Sequence, residues 1–108
     1  MPARRGAHEE ERLHQYELVT ILSPELGDEE LPAAVDRINN FVVSRGGEIQ
    51  DVDNWGRRRL AYPIQRFNEG NYVVTQLSLD APRAAELEAN LRISEDVIRH
   101  LLVRNEAK

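Results

Sequence analysis

The sequence predicts an α+β sandwich in which a four-stranded antiparallel sheet carries two helices on one face. Three observations predict it. The chain has 108 residues, the length of one domain with two packed layers. Its apolar spacing alternates between strand and helix character in the order strand, helix, strand, strand, helix, strand. The two helical segments each lie between strand-like segments, so two right-handed crossover units interleave.

The leading segment MPARRGAHEEERLHQ holds three arginines, three glutamates and few apolar side chains, too little apolar surface to offset the entropy of ordering. Residues 1–14 are therefore expected to form a flexible extension, residues 15–104 the folded domain and residues 105–108 a short polar tail. Order is expected to begin at Tyr16, where YELVTILS reads as a strand closed by Pro24. Leu18 and Leu22 fall on one face and Val19 and Ile21 on the other, a pattern that suits a central strand.

Leu31, Ala34, Val35, Ile38, Phe41 and Val42 then recur at helical spacing. Pro32 suits the first turn and Gly46-Gly47 the stop. Asp28, Glu29 and Glu30 complement the positive end of the helix dipole, and Arg45 is expected in the last turn. The segment EIQDVDNWGRRRLAYPI alternates imperfectly across Asn54 to Gly56, which fits one long strand with a bulge at Gly56 or two short strands. QRFNEG reads as a turn, and NYVVTQLSLD as the next strand of an antiparallel hairpin. Asp80 can cap a second helix, with Pro82 in its first turn and Ala84, Leu87 and Leu91 on its buried stripe. VIRHLLV, from Val97 to Val103, completes the set as a strand. This order gives the ferredoxin-like split β-α-β sandwich, whose second sheet face is open to RNA or to a protein partner.

Composition narrows the function. The chain holds 14 Lys plus Arg against 19 Asp plus Glu, a net charge of -5, so binding of nucleic acid through bulk positive charge is disfavoured and a local basic patch would be required. The absence of cysteine removes disulfides, thiol nucleophiles and sulfur-rich zinc sites. No apolar run approaches the roughly 20 residues that cross a bilayer, and Met1 to Leu13 lack a secretion signal, so a soluble, cytoplasmic protein without a membrane partner is expected.

The strongest bias is WGRRRLAYPIQRF, Trp55 to Phe67, with four arginines, three aromatic residues and no acid. Arginine pairs with phosphate, and aromatic rings stack on unpaired bases, so this mixture suits RNA. In a regular strand Arg57 and Arg59 share one face and Arg58 takes the other. The plainer alternative is an edge strand kept soluble by its charges. Catalytic readings are weaker. His8 and His14 fall in the expected extension, and His100 alternates with apolar neighbours as a half-buried sheet residue. No phosphate loop, HExxH or calcium loop occurs, so no cofactor, metal or small-molecule substrate is expected. Asp51 and Asp53 are expected to flank the basic stretch or pair with an arginine.

The run Leu60-Ala61-Tyr62-Pro63-Ile64, preceded by Arg58-Arg59 and followed by Glu69-Gly70-Asn71-Tyr72, resembles the signature of the bacterial small-subunit ribosomal protein S-six family. YELVTILSPEL resembles that family's first strand and turn, and LEANLRISEDVIRHLLVR its second helix and last strand. The likeness covers roughly residues 15 to 104. It implies a ferredoxin-like domain that binds the central domain of small-subunit ribosomal RNA as a heterodimer with ribosomal protein S-eighteen, and it implies an assembly role without catalysis in the cytoplasmic ribosome. On this reading Arg57, Arg58, Arg59 and Arg66 contact phosphate or sugar, and Tyr62 stacks or packs. An acidic RNA-binding protein then makes sense if a basic partner neutralises phosphate.

Two features depart from the family pattern. Some members carry a long tail beyond the last strand, whereas this chain ends at Lys108, and it carries an amino-terminal extension in which Arg4 and Arg5 are expected to contact ribosomal RNA. The rival readings are a protein-interaction adaptor on the open face and a small-molecule-sensing or acyl-phosphate-hydrolysing ferredoxin-like module. The acidic PELGDEE turn opposes the phosphate loop that the last of these needs.

Overall fold

The computed structural model describes residues 12–105. Strand β1 (Leu13–Leu22) leads to helix α1 (Glu30–Ser44), then β2 (Glu48–Ile64), β3 (Phe67–Asp80), helix α2 (Ala81–Ile93) and β4 (Val97–Arg104). The sheet order is β2-β3-β1-β4, and every neighbouring pair is antiparallel. This is the split β-α-β arrangement expected, with β1 in the interior of the sheet.

The sheet face under the helices holds the core. Tyr16, Leu18 and Leu22 of β1 and Val73, Leu77 and Leu79 of β3 pack with Ala34 and Val42 of α1 and with Ala84, Leu87 and Leu91 of α2. The expected stripe of α2 is thus the buried one. Its cap is also as expected: Asp80 Oδ1 accepts from the Arg83 backbone N–H at 2.9 Å, with Pro82 in the first turn. Helix α1 begins without a side-chain cap bond. Glu30 instead reaches back one turn, its Oε1 accepting from the Gly27 N–H at 2.8 Å. The turn after α1 places Gly46 at φ +84°, a conformation that glycine adopts without a Cβ penalty.

Three local expectations are corrected. Strand β1 begins at Leu13, three residues before Tyr16, because Leu13 and His14 still find ladder partners in Asp80 and Leu79. His14 is accordingly buried in the sheet rather than part of the extension. The QRFNEG turn shrinks to Gln65 and Arg66: Ile64 pairs with Phe67, and Phe67 to Gly70 belong to β3. Gln65 makes this tight reversal by adopting φ +57°. Arg45 lies one residue past α1, where its guanidinium rests 3.6 Å from the Phe41 ring centre and its Nε donates to Glu86 of α2 at 3.2 Å.

Of the two forms open for the third segment, a single long strand is observed. Its register against β3 shifts between Asn54 and Gly56, and Gly56 sits at φ +83°, the left-handed residue that a bulge of this kind uses. Past the bulge β2 and β3 continue as a paired arm that closes at Ile64 opposite Phe67. Beyond the strands, the Asn105 N–H donates to the Gln15 carbonyl at 2.8 Å. Residues 106–108, with most of the expected extension, lie outside the described residues.

Candidate nucleic-acid interface

The β2–β3 arm presents the basic stretch. After the Gly56 bulge the register runs unbroken through Arg57 opposite Asn71, Arg58 opposite Gly70 and Arg59 opposite Glu69. The expected alternation therefore holds: Arg57 and Arg59 take the helix-side face of β2, and Arg58 takes the open face. All three are exposed, and β2 is an edge strand, so the charges also serve to keep an unpaired edge in solution.

The four arginines are not equivalent. Arg57 is held by Glu69 at 3.2 Å and donates to the Pro24 carbonyl at 2.7 Å. Arg66 at the arm's tip pairs with Glu25 at 3.1 Å and lies over the Phe67 ring. Both acids come from outside the acid-free stretch. Folding thus brings to the patch counter-charges that linear sequence keeps apart, and halves its uncompensated charge. Arg59 makes no hydrogen bond or ion pair among the described residues. Arg58 has no acidic partner either; its Nε donates to the Trp55 carbonyl at 3.4 Å, and its guanidinium lies 5.4 Å from the indole centre.

Trp55 is fixed by two contacts. Its ring stacks on Tyr72 of β3, centre to centre 6.2 Å and 14° from parallel, and its Nε1 donates to Asp53 Oδ2 at 3.0 Å. Of the two roles expected for Asp53, the structure gives the first: it flanks the basic stretch on the exposed edge strand, and its hydrogen-bond partner is the indole, not an arginine. The indole nevertheless remains 45% exposed. Tyr62 is 60% exposed, and its hydroxyl accepts from Arg99 Nη1 of β4 at 3.1 Å. Sequence reasoning missed Arg99, which lies far along the chain from the basic stretch, on β4, with β3 and β1 between it and β2 in the sheet. Its signal was parity: in VIRHLLV it shares a side with Leu101 and Val103, which the register places on the open face opposite Val19 and Glu17 of β1. His100, on the opposite side, is half-buried as expected.

The structure thus gathers Arg58, Tyr62, Trp55, Tyr72 and Arg99 on the open side, while Arg57 and Arg66 are tied to acids. Arg4 and Arg5 lie outside the described residues. Among the described residues, no three acidic or histidine side chains cluster in a way that could hold a metal ion, and no helix is long and apolar enough to cross a membrane.

Comparison with known proteins agrees with this architecture. The profile of the family described as Ribosomal protein S6 matches residues 15–104. Small ribosomal subunit protein bS6 of Carboxydothermus hydrogenoformans is 43% identical over 94 residues, covering 87% of this chain and 98% of that protein. The bS6 protein of Leifsonia xyli is 44% identical over 92 residues, covering 85% of this chain and 72% of its own length. Among solved structures, 30S ribosomal protein S6 of Thermotoga maritima superimposes with a TM-score of 0.82 at 33% identity, covering 87% of this chain and 89% of that one. With the profile spanning both helices and nearly all of the sheet, and relatives of 43–44% identity covered over 72–98% of their length, the chain belongs to the ribosomal protein S6 family, whose members are structural, non-enzymatic components of the ribosome.

Proposed function

We propose that this chain is a structural constituent of the small ribosomal subunit in the cytoplasm, binding the central domain of small-subunit ribosomal RNA together with ribosomal protein S-eighteen. Family membership across residues 15–104 carries the reading. The distribution of charge supports it: the arm exposes Arg58 and Arg59, which have no acidic partner among the described residues, while the segment from Glu17 to Asp36 holds six acids and no base. A basic protein seated on the acidic body would lower repulsion from RNA, and the free arginines of the arm would add phosphate contacts. Such contacts position a protein without reading sequence, so specificity comes from RNA shape and from the partner.

The mechanism is ordered assembly, in which the acidic chain first pairs with the basic one and the pair then docks on RNA. Binding of a central-domain RNA fragment, measured with this chain alone and in an equimolar mixture with its partner, tests it. The mixture is expected to bind far more tightly. Equal affinity of the isolated chain would contradict the mechanism. Arg4 and Arg5 add RNA contacts on the same reading; removing residues 1–11, which leaves β1 and its Leu13 and His14 ladder pairs intact, is expected to lower the salt dependence of assembly, and unchanged dependence would refute their role.

A further inference from the structure

On the open face, next to the stacked Trp55–Tyr72 pair, lies a cleft of about 210 Å³ whose lining includes Ile21, Leu60, Tyr62, Ile64, Tyr72 and Arg99. Its floor is apolar and buried: Ile21 and Leu60 are each 8% exposed. Its rim is polar and aromatic. Tyr62 stands largely in solvent, and Arg99 spends one N–H on the Tyr62 hydroxyl while its other donors have no partner among the described residues. Tyr72 belongs to both features, since its ring lines the cleft and stacks on the indole. Arg99 on the rim, and Arg58 on the far side of the Trp55–Tyr72 stack, have no acidic partner among the described residues, so the surroundings favour an anionic ligand.

A small apolar floor, two phenol rings and a guanidinium with donors to spare are what a splayed-out base requires. A base supplies a flat apolar face for the rings and acceptor atoms, carbonyl oxygens or ring nitrogens, for the guanidinium, and its phosphate carries a charge that the arginines would attract. An apolar protein side chain would use the floor but would leave the Arg99 donors unpaired. We propose that this cleft holds one unpaired nucleobase of the bound RNA, with Tyr62 as its stacking ring and Arg99 as its polar contact. This deepens the RNA-binding reading above and rests on it.

Two measurements on the intact complex test it. Ultraviolet irradiation of small subunits containing this chain, followed by mass spectrometry, is expected to give nucleotide adducts on the peptides carrying Tyr62 or Tyr72. Adducts on other arm peptides but none on these would overturn the cleft proposal while leaving RNA binding intact; the absence of any RNA adduct on the chain would overturn both. In the second measurement, the purified protein pair binds the RNA fragment across a salt series. Tyr62→Leu is expected to weaken binding about tenfold at every salt concentration without altering the slope, because stacking releases no counterions. Tyr62→Phe, which keeps the ring, is expected to retain most of the affinity. If Tyr62→Leu instead weakens pairing with the partner protein in the absence of RNA, the cleft is a protein contact and the proposal fails.

Discussion

Replacing the four arm arginines singly by glutamine separates those free to meet phosphate from those already neutralised. Each phosphate neutralised steepens the fall of log affinity with log salt by about 0.7 on single strands and by about 0.9 on a B-form duplex, which bracket the range used for the RNA fragment. Among the described residues Arg59 has no partner, and Arg58 contacts only the Trp55 carbonyl and ring, so Arg58→Gln and Arg59→Gln should each lower the slope by about 0.7–0.9. Arg57 and Arg66 are committed to Glu69 and Glu25 at 3.2 and 3.1 Å. Their loss removes a pair rather than a phosphate contact, and the slope should change by less than about half a unit. Arg57→Gln still weakens binding at fixed salt, since it leaves the Glu69 carboxylate facing RNA, and adding Glu69→Gln should restore affinity. The Arg57–Glu69 pair is about half exposed, so its loss should cost the fold no more than about 1 kcal/mol. The assay is equilibrium binding of the protein pair to the RNA fragment between low and moderate salt. Equal slope losses at all four positions, or larger ones at Arg57 and Arg66, would refute the division of the patch into free and paired charges.

Further outcomes concern the scaffold that holds the arm. Leu87→Ala removes a fully buried side chain from the α2–sheet contact and should cost about 2–5 kcal/mol, read from denaturant midpoints. Asp80→Ala removes the cap bond to the Arg83 N–H and should cost about 1 kcal/mol, seen as a lower melting temperature with RNA-binding slopes unchanged. Gly47→Ala would put a Cβ 2.5 Å from the Ser78 carbonyl and 2.7 Å from Val42 Cγ1; forcing backbone and core apart should cost about 1–3 kcal/mol, and wild-type stability of this variant would contradict the packing described at the start of β2.

Much of the fold was legible because periodicity reports burial directly. The buried residues of α2 are the ones that its spacing selects, and Tyr72 to Leu79 alternate as the register requires. What sequence could not show depended on partners distant along the chain. Leu13 and His14 look like the end of a polar extension until Asp80 and Leu79 offer them a ladder. Phe67 to Gly70 look like a loop until the tight Gln65–Arg66 reversal lets them pair. The basic patch was legible as composition but not as electrostatics, because Glu25 and Glu69 lie outside WGRRRLAYPIQRF and meet it only in three dimensions. The choice between a kinked strand and two short ones likewise turned on a single backbone angle at Gly56.

The central claim, that an acidic ferredoxin-like domain acts within the small ribosomal subunit through its basic arm, is tested most directly by gradient sedimentation of extracts from cells making this chain. The wild-type protein should co-migrate with small subunits, and a variant with Arg57, Arg58 and Arg59 changed to Glu should remain folded and shift to the top of the gradient. A wild-type protein found only in a free pool, or a charge-reversed variant that still co-migrates, would contradict the account.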